Sequence, residues 1–155
     1  MDNLFVYLLF GHIAGDYFLQ NKKMAVTKGE NSSQGYCWCI IHSLVYTASI
    51  YFFMIPLPSI LNYFGVWAGF GTHLSVIHLP FLFYVLVFIQ HDIFDKFSLG
   101  QTWLDFIKGR NILTAFNSSD TYRIIDIVFS CIVYTVVDNG MHLMWMWYVA
   151  KIMGV

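Results

Sequence analysis

The chain has 155 residues, of which 58% are hydrophobic, 19% aromatic and only 11% charged, with a formal net charge of −1. An average soluble domain carries about 25% charged residues, so this chain is one domain long yet has too few polar groups to coat one in water. Composition excludes an ordinary soluble enzyme, the lack of a basic surplus argues against nucleic-acid partners, and residues 1–155 are predicted to form a single all-α integral membrane domain.

A membrane helix needs about 20 mostly apolar residues, and four segments qualify in chain order. The first, Asn3–Gln20, has neither a basic leader nor a small-residue cleavage site, so it is not expected to be a cleaved signal peptide. The second is Tyr36–Ile55. It is followed by Leu57–His78, whose Gly, Pro and Ser content and internal polar residues favour an interfacial loop or re-entrant piece over a fifth span. The third span, Leu79–Phe97, leads into Gly100–Ser119, where Trp103, Leu104, Phe106, Ile107, Ile112 and Leu113 interleave with Asp105, Lys108 and Arg110. That mixture suits a short interfacial amphipathic helix ending near the turn-like AFNSSD. The fourth, Tyr122–Ile152, is long enough to tilt or project. The expected architecture is a polytopic four-transmembrane-helix bundle with an interfacial loop segment and one short amphipathic helix.

Basic residues set the expected orientation. Lys22, Lys23 and Lys28 follow the first span, and Lys96, Lys108, Arg110 and Arg123 follow the third, leaving only Lys151 at the other side. Both termini are therefore expected outside, with two basic cytoplasmic loops.

Ionisable residues recur inside these apolar segments at helical spacing. His12 and Asp16 lie in the stretch GHIAGDYFLQ, His91 and Asp95 in the third span, and Asp138 and His142 in the fourth; the second span contributes His42, with Tyr46 four residues on. Residues four apart share a helix face, so each pair can aim a nitrogen and an oxygen at one point. A single such pair is satisfied by a helix–helix hydrogen bond. Three pairs and a further histidine on four helices instead predict a polar centre with His12, Asp16, His42, His91, Asp95, Asp138 and His142 as metal ligands. Carboxylates buried without a cation are costly unless protonated or paired, and di-iron bundles apply the same logic. Imidazole and carboxylate without thiolate suit one or two divalent ions of Zn, Mn or Fe. Membrane di-iron oxygenases fit less well, because no two histidines here are four apart.

In order along the chain, the residues His12, Gly15, Asp16, Leu19 and Gln20, the lone His42, the run His91–Asp95–Lys96 and the late Asp138–His142 resemble the small bacterial and phage membrane proteins grouped as domain of unknown function 3307. The resemblance covers nearly the whole chain. It departs at Asn139, where that pattern carries Gln, which bears on a hydrogen bond behind the ligands and not on a ligand. The motif style is similar to that of membrane-bound metal-dependent hydrolases, and the resemblance implies the inner membrane of a bacterial host.

The expected chemistry is hydrolysis of an amphiphilic substrate such as a phospholipid or polyprenyl phosphate or ester. A metal-activated water would attack, with Asp16, Asp95 or Asp138 as general base and Lys96, Lys22 or Lys23 holding a phosphate. Membrane lipids are the expected partners, with a homo-oligomer or a membrane-protein partner open. Two other classes stay open: a metal or proton transporter, and a non-enzymatic accessory or partner-binding membrane protein of bacterial or phage origin. Gly11 and Gly15 form the one G-x-x-x-G within the four spans and would admit a neighbouring helix near the site.

Other residues take plainer readings. Cys37 and Cys39 point apart on a helix and, with Cys131, are expected to be free packed thiols. His73 and His78 suit an outer loop, the run MHLMWMWYVAK an interfacial belt, and Asp126 a boundary ion pair near Arg123. Asp92 is expected to meet Gln20 or the loop lysines. His142 lies 20 residues from Tyr122, about 30 Å along a helix. Asp138 and His142 therefore reach the other ligands only if the fourth helix starts below the membrane plane or bends at Gly140. The first arrangement is preferred, and without it Asp126 would enter the site.

Overall fold

Local capping chemistry starts two of the helices. Asn21 Oδ1 accepts from the Met24 amide (2.9 Å) and Ser32 Oγ from the Gly35 amide (3.0 Å), each taking up an N–H that has no partner within its helix. The structure is a computed structural model describing residues 3–63, 76–108, 116–117 and 121–154, and among these there is no strand. The helices are α1 (Asn3–Ile13), which runs into a π-helical turn (Ala14–Phe18), then α2 (Lys22–Thr27), α3 (Ser33–Met54), α4 (Pro56–Tyr63), α5 (Phe81–Lys96), α6 (Leu99–Lys108) and α7 (Arg123–Ile152). Between α5 and α6 the chain turns at Ser98, which takes the left-handed φ of 47°.

Two helical stretches, Ser33–Tyr63 and Arg123–Ile152, are long and apolar enough to cross a membrane. The stretch Leu4–Phe18 is apolar but shorter. The 16 residues of α5 rise about 24 Å, less than the hydrocarbon thickness of about 30 Å. The four apolar segments of the sequence thus all form helices, of which two reach spanning length. The segment expected as an interfacial loop or re-entrant piece starts instead as α4, continuing α3 with only a break at Ile55; residues 64–75, including His73, lie outside the described residues. The amphipathic helix expected within Gly100–Ser119 is α6, with Leu104 buried and Phe106 and Ile107 exposed.

Helix α1 crosses α3 at unusually close range. A Cβ on Gly11 would lie 2.9 Å from Ile50 Cα, and one on Gly15 would lie 3.0 Å from Tyr46 Cα. Ser49 Oγ donates to the Gly11 carbonyl at 2.8 Å across the same contact. The glycine pair of the first span therefore works as a contact surface for α3. Above this crossing the interior is apolar, with Leu8, Ile50, Met54, Phe83, Val87 and Met146 fully buried. Below it the interior turns polar, with His12, His42, His91 and His142 all buried at 1% exposure or less. Large apolar side chains such as Phe10, Phe18, Leu44, Phe81 and Val136 face outward.

Helix α7 is unbroken through Gly140. Its 30 residues rise about 45 Å. Its C-terminal half is packed, with His142, Met146, Val149 and Ala150 buried, while Ile124, Ile125, Val128 and Phe129 near its start are exposed. The helix therefore begins well away from the packed bundle, and the level of the polar interior is reached by extension and not by a bend at Gly140.

Candidate metal centre

Asp16 sits in the π turn, closed by the Leu19 amide donating to the Ala14 carbonyl (2.9 Å). A π turn shifts the register of the side chains that follow it and recurs at functional sites. Here Asp16 Oδ1 comes 3.2 Å from His42 Nε2 and 3.5 Å from His91 Nε2. From α5, Asp95 Oδ2 comes 3.2 Å from His42 Nε2 and 3.3 Å from His91 Nε2. The two imidazole nitrogens are themselves 3.1 Å apart. Four donor atoms from the π turn, α3 and α5 thus gather at one point.

A second group lies beside the first. His142 Nε2 faces Asp95 Oδ1 (3.9 Å) and Asp138 Oδ2 (4.0 Å). The sets Asp16, His42, His91 and Asp95, Asp138, His142 each bring their ligand atoms within 4.8 Å of one another. Six of the seven residues read as ligands are in these sets. His12 is the exception, because both of its ring nitrogens are engaged. Nε2 donates to Asn139 Oδ1, and Nδ1 hydrogen-bonds with the Tyr46 hydroxyl at 2.8 Å while lying 3.3 Å from Asp16 Oδ2. His12 therefore stands beside Asp16 with both ring nitrogens committed elsewhere. Asn139 also donates to Tyr17 Oη (2.7 Å).

Lys96 does not stand where the sequence suggested. One residue past Asp95, it is rotated about 100° around α5, and its ammonium donates to the Glu30 carbonyl (2.5 Å) and lies 3.7 Å from the Tyr36 ring centre. The cation on the cluster is Lys28, whose Nζ donates to Asp95 Oδ2 at 2.6 Å. Gln20 joins it: with the amide turned to suit its neighbours, its oxygen accepts from Lys28 Nζ (2.9 Å) and His42 Nε2 (3.0 Å). Asp92, expected to meet Gln20 or a lysine, instead accepts Cys39 Sγ at its backbone carbonyl (3.6 Å). Asp126 belongs to neither ligand group, His78 is exposed, and the three cysteines are free thiols.

Sequence reasoning missed Gln20 as a partner of His42, Gln90 and Lys28. Gln90 Nε2 lies 2.9 Å from His142 Nδ1, and Tyr46, fully buried, stacks on His91 with ring centres 3.6 Å apart. A scan for ionisable residues passes over amides, although a glutamine in an apolar span carries the same demand for a partner.

These residues fit a divalent cation on their own geometry. With metal bonds of about 2.0–2.2 Å, two ligands of a tetrahedral ion stand about 3.4 Å apart, close to the 3.1–3.5 Å separations around His42 and His91. Hydrogen bonding accounts for them poorly. His42 Nε2 has Gln20, Asp16, Asp95 and His91 all within 3.0–3.2 Å, while a ring nitrogen serves one partner well.

The family model described as "Protein of unknown function (DUF3307)" matches residues 4–154. The chain belongs to that family. No curated protein and no solved structure matches it. Of the residues that carried the resemblance, His12, Asp16, Gln20, His42, His91, Asp95, Asp138 and His142 come together around the polar interior and Gly15 packs on Tyr46, while Leu19 and Lys96 stand apart from the ligand groups.

Proposed function

We propose that this protein is a membrane-embedded, metal-dependent hydrolase acting on an amphiphilic phosphate, a phospholipid or a polyprenyl phosphate. The single observation that carries the reading is the crowding of four polar groups on His42 Nε2, which a cation relieves and hydrogen bonds do not. In this reading all four apolar helices lie in the bilayer with both termini outside, in the inner membrane of a bacterial host. The outward-facing Phe10, Leu44 and Phe81 and the buried histidines support that placement.

A bound divalent ion would supply Lewis acidity, an activated water and stabilisation of developing oxyanion charge. Asp16, His42, His91 and Asp95 would hold it. His12, fixed by Tyr46 and Asn139, packs against the Asp16 carboxylate from behind the site. Lys28, about one-fifth exposed, stands at the basic end of the bundle and offers an arriving phosphate its ammonium. The apolar residues Leu8, Val87 and Met146 close the other end against water. A groove of about 640 Å³ between α3 and α5, lined by Leu44, Tyr51, Leu79, Tyr84 and Phe88, offers the hydrocarbon tail a path along the bundle.

The test is metal content by elemental mass spectrometry on detergent-purified protein, followed by phosphate release from lipid phosphates. One or two equivalents of Zn, Mn or Fe in the wild type, lost in His91→Ala/Asp95→Ala together with turnover, is the expected result. A protein that stays empty after reconstitution with each ion overturns the hydrolase and leaves a partner-binding role.

A further inference from the structure

We propose that Asp95 is the bridging carboxylate of a two-ion centre, an inference that rests on the metal-dependent reading above and makes it more specific. The two oxygens of Asp95 serve different ligand groups. Oδ2 stands with His42 Nε2 (3.2 Å) and His91 Nε2 (3.3 Å) in the group that includes Asp16. Oδ1 is the oxygen facing His142 Nε2 (3.9 Å), which also faces Asp138 Oδ2 (4.0 Å). Ligands thus come from the π turn, α3 and α5 on one side of Asp95 and from α7 on the other.

The second position has its own independent sign. His142 is fully buried, and its Nε2 has no hydrogen-bond partner. At 3.9 and 4.0 Å the two carboxylates it faces are beyond hydrogen-bond reach, and wider than the spacing of about 3.4 Å around a tetrahedral ion by an amount that small side-chain rotations would close. A buried imidazole nitrogen normally finds a partner; between two carboxylates, the partner that satisfies all three is a cation. The other ring nitrogen, Nδ1, is held by the Gln90 amide, whose Oε1 is itself buried without a partner. With the Gln90 amide turned over, that oxygen would accept Nδ1–H and leave the Nε2 lone pair for the metal, the usual support behind a metal-bound histidine. On its other side Asp138 lies close against α6, where a Cβ on Gly100 would stand 2.8 Å from Asp138 Oδ1.

Charge balance then names the substrate class. Asp16, Asp95 and Asp138 set three negative charges against the ammonium of Lys28. One divalent ion neutralises that remainder, and a second leaves the centre positive in a low-dielectric interior. A phosphomonoester dianion, such as a polyprenyl monophosphate, balances the surplus; a singly charged phosphodiester does so in part and a neutral carboxylic ester not at all. Two-ion centres commonly clamp both oxygens of a phosphoryl displacement.

The experiment titrates the full-length protein in detergent with Mn²⁺, counts bound ions after desalting, and reads spin coupling by electron paramagnetic resonance. Expected are two equivalents giving the spectrum of an exchange-coupled pair. Asp138→Asn and His142→Gln should each keep one ion with an uncoupled spectrum, and Asp16→Asn should keep one ion as well. Asp95→Asn should lose coupling and fall below one equivalent, while Asp95→Glu, which keeps a carboxylate, retains a coupled pair and controls for folding. Saturation at one equivalent, two uncoupled ions, or two coupled ions in Asp138→Asn overturns the bridge. If one ion accompanies lipid-phosphate hydrolysis, the bridge alone fails. If Mn, Zn and Fe all fail to bind, the metal-dependent reading fails with it.

Discussion

The same helices, α1, α3, α5 and α7, build two unlike halves of one interior. In the apolar half, Leu8, Ile50, Met54, Phe83, Val87 and Met146 are fully buried and ask nothing further of their neighbours. One to two turns away, His12, His42, His91 and His142 are just as buried, but their polar atoms are unevenly served. His42 Nε2 has four polar neighbours, while His142 Nε2 has no hydrogen bond. An apolar core is complete once its volume is filled. A polar core is complete only when its donors and acceptors are matched, and here His142 Nε2 and Asp16 Oδ1 are buried without a hydrogen bond. The comparison separates the half that packing alone completes from the half that packing leaves unsatisfied.

Breaking the apolar half should give the largest effect on stability. Phe83→Ala removes a fully buried ring and is expected to cost about 3–5 kcal/mol, read as a lower thermal-unfolding midpoint, with metal stoichiometry unchanged. A fall in stoichiometry would mean that the halves are not separable. Stripping the polar half of metal should come next. Protein loaded at about 100 times Kd should lose about 2.7 kcal/mol of apparent stability on chelation, and an unfolding midpoint unmoved by chelator would contradict the cation. Gln90→Leu sharpens the contrast further. It swaps the amide on His142 Nδ1 for an apolar side chain of similar size, so metal affinity should fall about 10–100-fold while the unfolding midpoint of the metal-free protein changes little. Smallest is Lys96→Met. Its ammonium is bound to the Glu30 carbonyl and the Tyr36 ring, so metal affinity should not change, and limited proteolysis within residues 28–32 should become modestly faster.

The contrast between Lys28 and Lys96 shows how far the sequence can be read. Lys96 adjoins Asp95 in the chain and Lys28 is 67 residues away, yet it is Lys28 that binds the carboxylate. Adjacent residues on a helix point about 100° apart, so nearness in sequence is a poor guide to contact. His12 gives the same lesson. Its spacing to Asp16 is that of a ligand pair, but Tyr46 and Asn139, on two other helices, engage both of its nitrogens. Where a loop must return over a helix end, as residues 28–30 return over α5, no local pattern announces it.

The sequence by itself determined the apolar helices, the buried His/Asp pairs and the family, because hydrophobic periodicity and i,i+4 spacing are properties of a single helix. Its G-x-x-x-G likewise foretold a close neighbour, which the α1–α3 crossing supplies at Gly11 and Gly15. Tertiary structure alone decided which ring nitrogen faces which oxygen and that Asp95 divides its two oxygens between ligand groups. These depend on crossing distances and rotations between helices. At the level of a ligand atom, a shift of about 1 Å separates a metal bond from a hydrogen bond.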